Sequence, residues 1–246
     1  MHFNKMVRDE VATLVGHVSA REQIVTEEKI SALPEAVQRW IRKSNVLNRK
    51  LPTAYRVIQR GSLRTSAESR WMPFHSEQYF STAPPAFVWK AWIRAGRFTE
   101  IAGRDKYQDG RGHMLIKPLY LLTAADGLGK EIDQGSLLRF LAESAWFPQV
   151  AVNDYLRWEG IDDRRARVTM DYGGVSVSGI FSFNEEGLVE GFEAHRYGDF
   201  DGILRKEIWS VVITGHKEFN DTPIGHRIDV TWKLREGDFT WLNVEV

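Results

Sequence analysis

From Thr53 to the C-terminus, apolar and polar residues alternate with a period of two in one short run after another, and that alternation leaves few folds open. Tyr55, Val57, Gln59, Gly61 and Leu63 share one strand face, with Arg56, Ile58 and Arg60 on the other. A second run passes through Phe74, Ser76, Gln78 and Phe80 and breaks at Pro84-Pro85. A third sets Phe87, Trp89, Ala91 and Ile93 against Val88, Lys90, Trp92 and Arg94. Tryptophan on both faces implies that both are partly covered. Strands at 97–107 and 112–122 are joined through Asp109-Gly110, a strong hairpin signal. Strand period returns at Leu156 and Trp158, from Ala166 to Tyr172, from Val175 to Phe183, and near 188–197, 206–217, 226–235 and 239–246. Asp171-Tyr172-Gly173-Gly174 and Asn184-Glu185-Glu186-Gly187 read as intervening turns.

Helical spacing is confined to three places. Val7, Val11, Leu14, Val15 and Val18 form one stripe. A second helix starts at Leu33-Pro34, carries Val37, Trp40 and Ile41 on its apolar side and ends before Leu51-Pro52. The third follows the turn-like Gln134-Gly135-Ser136, with Leu137, Leu138, Leu141, Ala142 and Ala145 in register until Pro148, which predicts a helix at 136–147. Parallel β-α-β folds need a helix between most strands, and those helices are missing. The expected fold class is therefore α+β, mainly β. It is a strongly curved antiparallel sheet of about 11 strands, a half-barrel or partly closed barrel, because so many strands rarely stay in one open layer. N-terminal helices and the central helix cover its concave side. Residues 1–50 are expected to form a helical segment packed on the sheet and residues 51–246 a single curved β domain, with no repeat or linker dividing them.

Composition removes several function classes. The 33 basic residues equal the 33 acidic ones, so no global field draws nucleic acid or an anionic membrane. The absence of Cys excludes disulfides, thiolate nucleophiles and Cys-zinc sites. Neither a signal peptide nor a membrane span fits the charged N-terminus, so the chain as it stands reads as soluble and cytoplasmic, with prior removal of a leader left open. Walker, Gly-x-Gly-x-x-Gly, His-Glu-x-x-His and Gly-x-Ser-x-Gly motifs are all missing, and no cofactor or metal is expected. The 9 Trp, 13 Phe and 7 Tyr could stack on single-stranded nucleic acid only beside a basic groove, so core packing is the default for most of them.

Three clusters carry candidate chemistry. Arg139 and Glu143 are four residues apart on one helix face. They make a solvent-facing ion pair, a buried tie to a strand, or a guanidinium offered to a ligand on the concave side. Asp105, Asp109 and His113 are metal-ligand types, yet four residues of extended strand span about 13 Å and Asp109 is needed by the turn. That leaves Asp105 as a candidate acid or base. Glu193, His195 and Tyr197 share a strand face, where His195 either forms an ordinary cross-strand pair or acts as a general acid.

Gln59-Arg-Gly61, Trp71-Met-Pro-Phe74, Phe87-Val-Trp89, Gly103-Arg-Asp105, Asp109-Gly-Arg-Gly112, Arg139-Phe-Leu-Ala-Glu143, Trp146-Phe-Pro148, Trp158 and Arg196-Tyr197 together resemble a bacterial family of uncharacterised proteins, defined only as a domain of unknown function. The resemblance runs from about Leu33 to the C-terminus, is most specific at Arg-x-Leu-Ala-Glu with Trp-Phe-Pro, and implies no activity. Many members look membrane-anchored at the N-terminus, which this chain does not. More remotely, the order of helices, meander, central helix and meander is similar to the half-barrel of bacterial lipoprotein carriers, a likeness of fold alone.

The leading expectation is a non-catalytic binder of a lipid-like or other hydrophobic small molecule in a concave β cavity. Trp89, Trp92, Phe74, Trp146 and Phe147 would form its walls, Arg139 would meet an anionic head group and Glu143 would orient Arg139. The alternatives are a hydrolase or isomerase using Glu143 or Asp105 as base with His195 as acid, and a protein-interaction scaffold. The sequence assigns no oligomeric state.

Overall fold

A computed structural model describes residues 2–17, 22–97, 99–120, 123–200 and 202–246. Val18, Phe98, Leu121 and Leu122, which the periodicity places in the first helix and in two strands, lie outside the described residues. The N-terminal part contains α1 (His2–His17), β1 (Gln23–Ile24), α2 (Glu27–Ile30), α3 (Glu35–Lys43) and β2 (Lys50–Leu51). The first meander comprises β3 (Ala54–Leu63), β4 (Met72–Thr82), β5 (Pro85–Arg94), β6 (Glu100–Gln108), β7 (Arg111–Pro118) and β8 (Ala125–Gly127). Then come α4 (Lys130–Glu143) and two 3-10 turns, Ser144–Trp146 and Pro148–Val152. The second meander comprises β9 (Leu156–Gly160), β10 (Arg165–Tyr172), β11 (Val175–Phe183), β12 (Val189–Phe200), β13 (Ile203–Phe219), β14 (Thr222–Leu234) and β15 (Gly237–Glu245).

Among the described residues, thirteen strands form one antiparallel sheet in the order β8-β7-β6-β5-β4-β3-β15-β14-β13-β12-β11-β10-β9. Each meander keeps sequential neighbours paired. The two join where β15 pairs with β3, with Leu242 opposite Leu63 and Val244 opposite Gly61. The sheet thus exceeds the expected strand number, because three-residue β8 is too short to display an alternation.

Adjacent strands rotate by about 20–25°, so a sheet this wide coils on itself. Its two ends meet through their turns rather than through hydrogen-bonded edges. Asp109 and Gly110 both have positive φ, as do Gly173 and Gly174, which is the two-residue hairpin geometry that matches strand twist. Gly110 lies directly against Gly173: a Cβ on Gly110 would come within 2.7 Å of the Gly173 Cα. The ring of Tyr107 meets that of Tyr172 beside this contact, 6.4 Å between centroids.

Helix α4 fills the space that this coiling encloses, packing on β5, β6 and β7 to one side and on β10, β11 and β12 to the other. It starts at Lys130, earlier than the spacing predicts. Gln134-Gly135-Ser136 is helix interior rather than a turn. Asp133 explains the difference: its carboxylate accepts from the Gly112 backbone N–H at 2.7 Å and from Arg111 at 3.1 Å. Those bonds and close packing on β7 outweigh a mid-helix glycine penalty of about 1 kcal/mol. Gly112 permits the approach, since a Cβ there would sit 2.6 Å from the Ile132 carbonyl oxygen.

The N-terminal helices cover different faces. Trp40 of α3 packs among Trp158, Phe181 and Phe183, within the main core. Helix α1 lies on the convex side, where Phe3, Val7 and Leu14 cover Ala86, Val88, Ala102 and Leu115. Beneath it Arg104, 1% exposed, donates to the His113 carbonyl at 2.6 Å and pairs with Glu10 of α1 at 3.3 Å. Among the described residues no helix is long and apolar enough to cross a membrane.

The contact between the two turns makes a specific prediction. Gly173→Ala combines positive φ with a collision against Gly110, and is expected to lower stability by about 2 kcal/mol or more. Gly174→Ala, at a similar φ but with open space around its Cβ position, should lose only about 1 kcal/mol. Urea unfolding followed by tryptophan fluorescence compares the two, and equal losses would mean that the turns do not support each other.

Candidate functional site

On the concave side, the row of inward-facing positions running across β3 to β6 contains polar residues where apolar ones would be expected. Gln59, Ser76 and Gln78 are buried, and Asp105 of β6 is opposite Trp89 of β5, which is opposite Gln78 of β4. Helix α4 lies over this row and adds Arg139 and Glu143. Side-chain exposures of 17% for Arg139, 15% for Asp105 and 14% for Glu143 leave the three nearly enclosed, with a residual opening to solvent.

The hydrogen bonds form one directed chain. Ser76 Oγ donates to Gln59 Oε1 at 2.7 Å and Trp89 Nε1 donates to the same oxygen at 2.9 Å. Indole N–H is only a donor, which sets the orientation of the Gln59 amide. Gln59 Nε2 then donates to Gln78 Oε1 at 3.1 Å, and Gln78 Nε2 to Glu143 Oε2 at 2.8 Å. Arg139 closes the network from above. Its Nε donates to Glu143 Oε1 at 2.9 Å, Nη1 to Asp105 Oδ2 at 2.7 Å and Nη2 to Gln78 Oε1 at 3.2 Å. Its guanidinium also lies over the rings of Phe87 and Trp89, 5.0 Å from each centroid. Burial opposes the charge on Arg139, but Glu143 and Asp105 prevail and hold its pKa above the ordinary value. Burial also pushes the Glu143 carboxyl up, against the pull of Arg139 and Gln78.

A second guanidinium enters from the opposite half of the sheet. Arg196 of β12 lies over the Trp209 ring, 4.9 Å from its centroid, and against Gly135 of α4, whose Cβ position is 3.6 Å from Nε. Among the described residues it makes neither a hydrogen bond nor an ion pair, and its Nε is fully enclosed. Burial pulls its pKa down to about 10; Asp105 and Glu143 oppose that shift and Arg139 adds to it.

Several residues singled out in the sequence converge here and others do not. Asp105, Arg139, Glu143 and Trp89 form the network, and buried Phe74 touches Trp89 edge-on at 6.4 Å. Trp92 projects from the convex face, where it stacks on His75 at 4.6 Å, because odd and even residues of β5 point opposite ways. Trp146 and Phe147 are core, not cavity walls. Trp146 is 8% exposed and donates to the Gly225 carbonyl at 3.0 Å, while Phe147 packs on Phe80 and Tyr55 at 4.9 and 4.3 Å. His195 is exposed on the outer face, since its neighbours Ala194 and Arg196 point inward, so the sheet separates it from Glu143 and Asp105 and the acid–base trio is not assembled. Asp109 is in its turn, and His113 faces outward to Arg104 and Asp126 at 2.9 and 2.7 Å.

Gln59, Ser76, Gln78 and Arg196 were not among the sequence candidates. The signal for the first three was a polar side chain on the apolar face of an alternating run. Beyond the network, Val57, Phe200, Leu234, Phe239, Leu242 and Val244 face the same side and remain half-buried. Two grooves of about 190 and 370 Å³ lie beside α1 on the convex side, away from this region.

Substitutions should expose the coupling. Arg139→Met leaves two carboxylates facing each other and is expected to destabilise the fold by about 3–5 kcal/mol. Glu143→Gln turns an NH₂ toward a donor in either orientation, Gln78 Nε2 or Arg139 Nε, and should lose about 1–3 kcal/mol. Urea denaturation measures both, and a loss below the second range for either would show the network to be energetically idle.

Among solved structures, the fold is similar to a crystal structure of a DUF1329 family protein from Desulfovibrio piger, with a TM-score of 0.39 and 11% identity, covering 85% of this chain and 90% of that one. No curated protein matches the chain. The model of DUF6544, a family of unknown function, matches residues 23–244, from β1 through nearly all of β15, and the chain belongs to that family.

Proposed function

We propose that this protein holds a lipid-like or other hydrophobic small molecule against the concave face of its sheet, without performing chemistry on it. The observation that carries this reading is the band of half-buried apolar side chains, Val57, Phe200, Leu234, Phe239, Leu242 and Val244, on the side of the sheet occupied by α4. Such a surface contributes about 25 cal/mol for each Å² that a ligand removes from water. An apolar wall with a few convergent polar groups is the usual make-up of a small-molecule site. The polar groups beside it suit holding better than catalysis: the Asp105 and Glu143 carboxylates are turned into Arg139, so neither offers a free base to a substrate.

Titration of the full chain with Nile red, a neutral hydrophobic probe, tests this. Saturable binding with a blue-shifted emission is expected. Leu242→Glu, which puts a carboxylate into the apolar band, should weaken it by about tenfold or more. If the probe does not saturate and mass spectrometry of the purified protein finds no co-extracted lipid, the reading fails.

A further inference from the structure

The two inward guanidiniums differ in what remains for a ligand, and the difference points to the ligand's head group. Arg139, where the sequence placed the head-group contact, has its charge matched twice over: Asp105 and Glu143 bind it directly, and Gln78 takes a further N–H. An added anion there would face two carboxylates. Arg196 is in the reverse condition. It has no acceptor among the described residues, its Nε is enclosed, and the ring beneath it belongs to Trp209, 5% exposed, whose own Nε1 is enclosed without a partner. Buried donors are ordinarily satisfied, and a guanidinium with no acceptor on any nitrogen leaves its two terminal nitrogens, which unlike Nε are not enclosed, for an acceptor from outside the chain. The charged groups bearing on Arg196 are Asp105, Glu143 and Arg139. Because both carboxylates direct their hydrogen bonds at Arg139, only their longer-range field reaches Arg196.

Resting on the reading that a hydrophobic molecule occupies the concave face, we propose that Arg196 receives the anionic head of that molecule, and that the ligand class is a monocarboxylate carried on a hydrocarbon body. Gly135 lies against both Nε and Nη2, at 3.6 and 3.7 Å from its Cβ position, but only Nε is fully enclosed, so the carboxylate is met by the terminal nitrogens. A planar guanidinium presents two parallel N–H groups at that end, the geometry that fits a carboxylate in bidentate fashion. The hydrocarbon body has apolar surface at hand. Phe200 is on the same face of the same strand as Arg196, and it packs edge-on against Trp232 at 5.3 Å. Leu234 and Phe239 continue the surface next to that pair.

The test compares laurate, dodecan-1-ol and acetate on the full chain at fixed ionic strength, each displacing bound Nile red, in the wild type, Arg196→Met and Arg196→Lys. The wild type should bind laurate about tenfold or more tighter than dodecan-1-ol, and acetate far more weakly than either. Arg196→Met should keep its dodecan-1-ol affinity and lose the preference for laurate. Arg196→Lys, a charge without the planar fork, should retain part of it. Arg196→Met should also melt no lower than the wild type, because an uncompensated buried charge has been replaced by an apolar chain.

A laurate preference that survives in Arg196→Met overturns the assignment, as does equal binding of laurate and dodecan-1-ol by the wild type. A large drop in melting temperature for Arg196→Met overturns it too, since Arg196 would then be a structural partner of Asp105 and Glu143. Acetate binding as tightly as laurate would assign Arg196 to small free carboxylates and remove the amphiphile. Failure of every ligand and of the probe itself sinks the hydrophobic-ligand reading, an outcome distinct from retention of the alcohol without the acid preference.

Discussion

The guanidinium of Arg139 is the centre of the polar network that ties helix α4 to β4 and β6 of the first meander. Arg139 reaches Asp105 on β6 and Gln78 on β4 while bonding Glu143 one turn along its own helix, so helix and sheet share one charge-balanced unit. Inside a nearly closed space each of these groups is expensive to leave alone, and the arrangement persists because every member is satisfied by another. The remainder follows from that seating. With α4 held on β4 to β6, its other side meets β10 to β12, and the small residues Gly112 and Gly135 allow the close approach at either flank.

The same network also separates structure from candidate function. Its donor chain runs from Ser76 and Trp89 through Gln59 and Gln78 to Glu143, with each amide orientation dictated by the one before. A directed and saturated chain rigidifies the region and leaves little for a ligand to bind. Arg196, from the other half of the sheet, approaches the same cluster without joining it. One guanidinium is thus bound up in architecture, while the other makes no hydrogen bond or ion pair among the described residues.

Much of this was legible in the chain. Period-two runs, the Asp109-Gly110 and Gly173-Gly174 turns and the missing crossover helices lead to a mainly β, antiparallel, curved sheet, and that is the fold observed. The family resemblance carried by Arg139-Phe-Leu-Ala-Glu143 and Trp146-Phe-Pro148 agrees with the family to which the chain belongs. What misled was local punctuation and aromatic content. Gln134-Gly135-Ser136 has turn composition but lies inside α4, held there by Asp133 bonding to a strand that is distant in sequence. Trp146 and Phe147 look like the walls of a hollow, yet they fill the core beside Phe80, because ring content carries no information about which rings pack on one another.

By itself the sequence determined the strand periodicity, the hairpin turns and which side chains share a face, since these depend on residues near one another along the chain. It also determined that Arg139 and Glu143 lie on one side of a helix. Only the tertiary structure decided that Asp105 and Gln78 are their partners, that His195 and Trp92 are turned away, and that Arg196 arrives from the far half of the sheet. Those outcomes depend on how far the twisted strands of the sheet coil before its end turns touch at Gly110 and Gly173. That angle is summed over the whole sheet, and no short window of sequence contains it.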